Sequence, residues 1–404
     1  MKRNQLKQIM GWCVVMVNKE ERTRGHVYNF QKILAFIFNH RFTSQSEISS
    51  ALEINKATVS KIYSELKQKQ FVNEVGAGVS SPTGGRKPRL IEINKTFGYT
   101  LCVELTEHEI KGLACYLNGA TIQFHQLQIS RDSDLIVCLD KLIGMFENIQ
   151  GTLNGLLGIC FAIHGKVHNN QVLSSYLNLN KIDLVNHCKK YNVPVILENE
   201  ANLSAIYSRD FIRGNREENA VTLSIHQGIY AGFILNNRLY RGSHGQVGDI
   251  GNNIIMSSFP ISNGEKLLTY QDLYAQDTVV NSIGELVGQA NLTLFDLSKL
   301  YEDHNDDVVA GLSQFANGIS EILHNIAGTI APDIFYINSP LIHQIPSILT
   351  QIKKYFERIS GYSPLIQSIP NVPLATLLGG AALMTHYILE LDDLKLNFWN
   401  YTEE

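Results

Sequence analysis

The sequence predicts a small, mainly helical head followed by a large α/β domain of two lobes, divided as residues 1–95 and 96–404. Three observations carry that prediction. Residues 1–95 hold 16 Lys/Arg against 7 Asp/Glu, whereas the remainder holds 18 against 31, an asymmetry that the net charge of −4 conceals. Within the head, apolar residues recur at helical spacing and then give way to two short apolar runs around a Gly/Ser/Pro loop. From residue 98 onward strand-like and helix-like segments alternate, and the alternation occurs twice.

A length of 404 residues exceeds what one hydrophobic core serves, and 44% apolar with 18% charged residues is ordinary globular composition. The six cysteines (13, 102, 115, 138, 160 and 188) include no CxxC pair, which predicts reduced thiols and a cytoplasmic protein rather than a disulfide or zinc framework. The run IMGWCVVMV (9–17) follows a basic start, but nine apolar residues are too few to cross a bilayer and no small-residue cleavage site follows. No membrane association is expected.

In the head, YNFQKILAFIFN (28–39) is apolar at helical spacing, and residues 43–71 read as two helices around a tight turn. Ser44 with Glu47 fits a capping box for the first of these, and Asn55 fits an N-cap for the second. On that second helix Val59, Ile62 and Leu66 share one face, while Ala57, Ser60, Lys61 and Ser64 share the opposite one. This is the layout of a helix-turn-helix, whose second helix offers small polar and basic side chains to a major groove; an ordinary helical hairpin with a solvated face shows the same spacing. The segment 71–94 reads as strands 71–75 and 89–94 around a loop with Arg86, Lys87 and Arg89. That is a wing, a basic hairpin tip suited to phosphates or a narrow minor groove. The candidate DNA contacts are therefore Ala57, Thr58, Ser60, Lys61, Ser64, Arg86, Lys87 and Arg89, with double-stranded operator DNA as the partner.

In the large domain GYTLCVEL, EIKGLACYL and ATIQFHQLQI (98–129) read as three strands, 132–150 as a helix, and GLLGICFAI and VPVIL as buried strands. A second round begins at AVTLSIHQ and IYAGFILNN. It continues through a helix at 311–331, the strand DIFYIN, a helix near 341–357 and a Gly-rich helix start at LLGGAALM. The expectation is two ββαβ halves of mostly parallel strands with a cleft between lobes. Ligands in such folds sit at strand carboxyl ends, where LENEANLSA (197–205) falls. Its two acids and two amides could hold a catalytic base, grip a polar ligand, or start the next helix.

Taken in order, NKATVSK, the wing ending GGRKP, ENEAN and HGQVGDIGN resemble the ROK family, which groups sugar-responsive repressors with sugar kinases on an actin/hexokinase-like fold. The resemblance spans roughly residues 28–390 and is nearest to the family's xylose-repressor branch. It implies sugar contacts at Asn199, Glu200, Asp249, Asn252 and Asp272, with Gly165 as a weaker candidate for the wall of the site. In the kinases the position of Glu200 is an Asp acting as base, and those of Asp249, Asn252 and Asp272 are Glu, His and Glu. The family's structural zinc takes that His and three nearby cysteines; here residues 253–280 contain no Cys, so no metal is expected. The first phosphate loop of the kinases, Asp-x-Gly-Gly-Thr, is replaced by Val103-Glu104-Leu105-Thr106-Glu107. The second retains only part of its glycines around Tyr230, and the adenosine-side Gly-Gly is Asn338-Ser339. ATP is therefore not expected, and neither is any catalytic residue or enzymatic activity.

The resulting expectation is a repressor of carbohydrate-utilisation genes that answers to a monosaccharide and works as a homodimer or higher homo-oligomer. An active sugar kinase with an accessory DNA-binding head, or a regulator that has lost its ligand, are the alternatives.

Overall fold

The computed structural model describes residues 24–78, 87–130, 133–175, 177, 179–212, 218–255, 267–362, 364–391 and 394–398. The chain condenses into two units. The first comprises Met1–Ala162, Leu177–Leu197 and Gly380–Glu404, and the second Ile163–Tyr176 and Glu198–Gly379.

The first unit opens with α1 (Arg24–Asn39), α2 (Gln45–Leu52) and α3 (Lys56–Gln68), then the antiparallel strands β1 (Val72–Ala77) and β2 (Arg89–Ile93). Capping sets the boundaries. The Asn55 side chain accepts from the Thr58 N–H at 2.8 Å and starts α3, as its position predicts. Ser44 accepts from the Glu47 N–H at 3.3 Å, but Glu47 turns its carboxylate to the Thr43 hydroxyl at 3.2 Å, so only half of the expected capping box is visible. Thr43 also exchanges two backbone hydrogen bonds with Ile91, which fastens the start of the helical pair to the wing. Ile33, Leu34, Ile37, Ile48, Val59, Ile62, Leu66 and Ile91 form a closed apolar core beneath the three helices. The head is a winged helix-turn-helix.

The same unit holds a five-stranded sheet in the order β5 (Thr121–Gln128), β4 (Glu109–Tyr116), β3 (Tyr99–Leu105), β6 (Leu156–Ile163), β9 (Val195–Asn199). Its helix α4 (Leu135–Gly144) follows β5, and α5 (Leu184–His187) precedes β9. A separate hairpin, β7 (Gly165–His168) with β8 (Gln171–Ser175), belongs to the second unit. The C-terminal segment returns to the head. Gln31 donates to the Glu390 carbonyl at 2.6 Å, Asn39 donates to the Lys395 carbonyl at 3.0 Å, and the Asn397 N–H donates to Asn39 at 2.7 Å. Phe398 is buried with its ring 5.0 Å from that of Phe38.

The second unit contains α6 (Glu200–Phe211) and a sheet ordered β12 (Arg238–Leu239), β11 (Ile229–Leu235), β10 (Ala220–Ile225), β13 (Ile334–Asn338), β14 (Leu365–Ser368). Its other helices are α7 (Tyr270–Tyr274), α8 (Gln276–Leu286), α9 (Leu294–Glu302), α10 (Asp306–Ile330), α11 (Pro340–Gln344) and α12 (Ser347–Ser360); α13 (Val372–Leu389) begins here and ends in the first unit. Side chains such as Val221, Leu223, Leu312, Ile319, Phe335 and Ile352 build one continuous core.

Three expectations need correction. The sheets are not mostly parallel: β3–β4 and β4–β5 are antiparallel, and in the second sheet two antiparallel pairings accompany two parallel ones. Tight turns at residues 106–108 and 226–228 return the chain at once as hairpins, whereas a parallel neighbour needs a long crossover. The helix expected near 341–357 is two helices, interrupted at Ile345-Pro346 because proline lacks the N–H a continuous helix needs. Finally, Gly379 and Gly380 lie within α13, not at its start. A Cβ on Gly379 would meet the Leu203 carbonyl, and one on Gly380 the Cys102 sulfur, so these glycines permit close packing. This helix is long and apolar enough to cross a membrane by length and composition, and 72% of it is buried inside the protein.

Candidate functional site

LENEANLSA folds as strand, turn and helix. β9 ends at Asn199, which is also the N-cap of α6: its side-chain oxygen accepts from the Ala201 N–H at 2.9 Å and the Asn202 N–H at 3.3 Å. Its amide nitrogen donates to the Gly165 carbonyl at 2.7 Å, so Asn199 joins the β7 hairpin to the helix start. Gly165 passes so close to Ser174 that a Cβ would collide with the Ser174 carbonyl oxygen. α6 is buried on every side, and its polar residues are partnered accordingly. Glu200, fully buried, accepts from the Ser224 hydroxyl at 2.7 Å. Arg209 and Asp210 form a two-pronged pair with both contacts at 2.7 Å.

Glu198 is the residue that binds this segment together. Its Oε1 accepts from the Asn199 N–H and from the Asn202 amide, both at 2.9 Å, and its Oε2 accepts from Arg241 at 2.7 Å. Glu198 is nearly buried while the Arg241 side chain is 46% exposed, so the arginine reaches in from the surface.

The second cluster lies on the loop after β12. Gly248 takes a left-handed φ of 94°, and a Cβ there would strike the Ala231 carbonyl, so only glycine lets this loop lie against β11. Asp249 follows, paired with Lys166 of β7 at 2.5 Å. Asn252 donates to Asp249 at 2.7 Å, and Gln271 donates to Asn252 at 2.8 Å. The structure thus brings Asp249 and Asn252 into one chain of polar groups running from Lys166 to Gln271. Asn199 and Glu200 lie together at the β9–α6 junction, and Asn199 reaches the residue before Lys166. Asp272 does something else locally: its carboxylate accepts from the Thr269 hydroxyl at 2.7 Å and the Thr269 N–H at 3.0 Å, capping α7.

Sequence reasoning did not single out Lys166, Arg241, Ser224 or Gln271. Lys166 sits beside Gly165, and Glu198 opens ENEAN; acids at the start of a buried helix need hydrogen-bond donors, but the sequence does not say which distant residues supply them.

Neither group implied by the family fits these residues. At the zinc position the Asn252 amide is used on both sides, and among the described residues no cluster of three His, Cys, Asp or Glu could hold a metal. For a nucleotide, the turn after β3 closes on itself, Thr106 donating its N–H to the Glu109 carbonyl at 3.0 Å, with Glu104 buried beside it in sequence. Asn338 and Ser339 are fully buried, Ser339 capping α11 and Asn338 donating to Ser204 at 2.8 Å. Side chains occupy the positions where glycine backbone would have to approach phosphate.

In the head, Ala57, Ser60, Lys61 and Ser64 are exposed along one side of α3, opposite the buried Val59, Ile62 and Leu66, and Thr58 is half-buried beside the cap. Ser64 donates back to the Ser60 carbonyl at 2.9 Å, leaving its oxygen free to accept. Lys87 and Arg89 are exposed at the base of the wing, but Arg89, expected to contact DNA, donates to the Glu74 carboxylate at 2.8 Å; Arg86 lies outside the described residues.

Two five-stranded sheets flanked by helices define the actin/hexokinase-like class, here in one chain with a winged helix-turn-helix. The ROK family model matches residues 100–364, and the chain belongs to the ROK family. It is 35% identical to a xylose repressor of Lactiplantibacillus pentosus, over 93% of this chain and 97% of that one. It is 37% identical to a xylose repressor of Staphylococcus xylosus, over 91% and 97%. A solved ROK family transcriptional regulator, a homologue of the E. coli MLC protein, superposes with a TM-score of 0.75 at 18% identity, covering 91% of this chain and 98% of that chain.

Proposed function

We propose that this protein is a cytoplasmic transcriptional repressor whose affinity for operator DNA is set by a monosaccharide, xylose being the first to test, and that it does not phosphorylate the sugar. Residues 1–95 act as the DNA-binding head and residues 96–404 as the effector and dimerisation part. The observation that carries this reading is similarity to two xylose repressors over nearly their whole length, head included. The exposed Ala57–Ser64 face of α3 supports the DNA half, since small and hydroxyl side chains let a helix approach base edges closely. The grouping of Asp249 with Asn252 and of Asn199 with Glu200 supports the sugar half, because carboxylates and amides match sugar hydroxyls that both donate and accept; Asp272, which caps α7, is assigned to the sugar on the resemblance alone.

The sugar acts by binding one conformation better than another, and can shift DNA affinity only by that difference. In a dimer the relevant variable is the separation of the two recognition helices, which must match half-sites about 34 Å apart. Fluorescence anisotropy on duplex from the gene's own upstream region, titrated with pentoses and hexoses, tests the proposal. Xylose is expected to change the affinity several-fold; no change with any sugar removes the effector half. A coupled ADP-release assay with the same sugars is expected to show no turnover, and turnover lost in Glu200→Gln establishes a kinase instead.

A further inference from the structure

One carboxylate in the head holds three donors from separate places. Glu74, on β1, accepts from the Tyr63 hydroxyl at 2.6 Å and from Lys67 at 2.7 Å, both on α3, and from Arg89 of β2 at 2.8 Å. Tyr63 is buried in the head's core, so the cluster is anchored from within. Lys67 and Arg89 are more than half exposed, at 51% and 61% of their side-chain surface, so without the carboxylate either would be open to a phosphate. Among the described residues Lys56, Lys61 and Lys87 have no acidic partner, so the head keeps some cations open while these two are engaged. The hydrogen bonds from Lys67, then from Tyr63 and Arg89, pull the Glu74 carboxyl down to about 2, so it is charged at any physiological pH.

We propose that Glu74 is a specificity-determining residue, an internal counter-charge that fixes the wing to the recognition helix and withholds Lys67 and Arg89 from DNA phosphates. Affinity for arbitrary sequence is thereby kept low, and discrimination is left to the exposed face of α3. The inference rests on the DNA-binding reading above and says how that reading's non-specific component is limited. Each phosphate neutralised by a cation releases counterions and steepens the salt dependence, whereas a cation already paired with a carboxylate adds little.

The test uses the full chain and a short random-sequence duplex in anisotropy titrations over a salt series. Glu74→Gln preserves size and the Tyr63 contact while removing the charge. It is expected to bind several-fold tighter at low salt, with a log–log salt slope steeper by about one to two. Equal or weaker binding with an unchanged slope makes Glu74 a structural staple only and overturns the proposal. An independent variant covers misfolding of the first: Lys67→Gln/Arg89→Gln in the wild-type background is expected to leave the slope unchanged, and a slope shallower by about two overturns the proposal. If the wild type binds no duplex at low salt, the DNA-binding reading falls and this inference with it. Failure of the variants on a wild type that does bind removes this inference alone.

Discussion

Ser224 and Glu200 show what burial demands of a single side chain. The carboxylate is enclosed at the start of α6 and takes the Ser224 hydroxyl at 2.7 Å. Ser224→Ala leaves that acceptor short of a donor, and a loss of about 1–3 kcal/mol is expected in urea unfolding. Arg241→Ala acts on Glu198 in the same way, but Arg241 is half-exposed and the Asn199 and Asn202 donors remain. Its cost should be nearer 1–2 kcal/mol than the ~3–5 kcal/mol of a fully enclosed pair. Glu74 gives a pH signature. Its folded value lies below the ordinary carboxylate value, so its contribution is complete above about 4.5 and is lost as pH falls from there through about 2. Stability of Glu74→Gln relative to wild type should therefore converge as pH drops through that window, whereas a constant difference down to pH 2 would contradict the assignment.

At the scale of elements, the helix termini are where local sequence acts most directly. Asn55→Ala removes the cap of α3 and should cost about 1 kcal/mol, and through loosening of the helix start it should weaken DNA binding as well. The return of the C-terminal segment onto α1 is a tertiary element of the head. Phe398 packs edge-on against Phe38, and Phe398→Ala should lower stability by about 3 kcal/mol, with Phe38→Ala non-additive because both delete the same contact. Additive losses in the double variant would show that the two rings act separately.

For the molecule as a whole, the prediction concerns mass action. A sugar bound by the folded state alone raises unfolding free energy by about 2.7 kcal/mol at a hundredfold excess over Kd. A thermal-shift screen should single out one sugar or a small group. Asp249→Asn and Lys166→Ala should both abolish that shift, because the lysine pairs with the aspartate. A shift that survives both substitutions places the sugar elsewhere.

The amino-acid sequence by itself determined the kind of element at each place and the boundaries that caps enforce. Period and capping chemistry are local, so the α3 helix, its Asn55 cap and its two faces were legible, as were the wing strands and the order of the two α/β rounds. The ROK resemblance rested on short motifs whose spacing is likewise linear. Strand direction was not legible, because apolar runs look alike in hairpins and crossovers. Nor were partners across long separations: Arg241 for Glu198, Lys166 for Asp249, Ser224 for Glu200, or the tail that meets Asn39. Such pairings arise only when buried charges and polar groups must find complements in space, and desolvation, not sequence distance, decides which residues supply them.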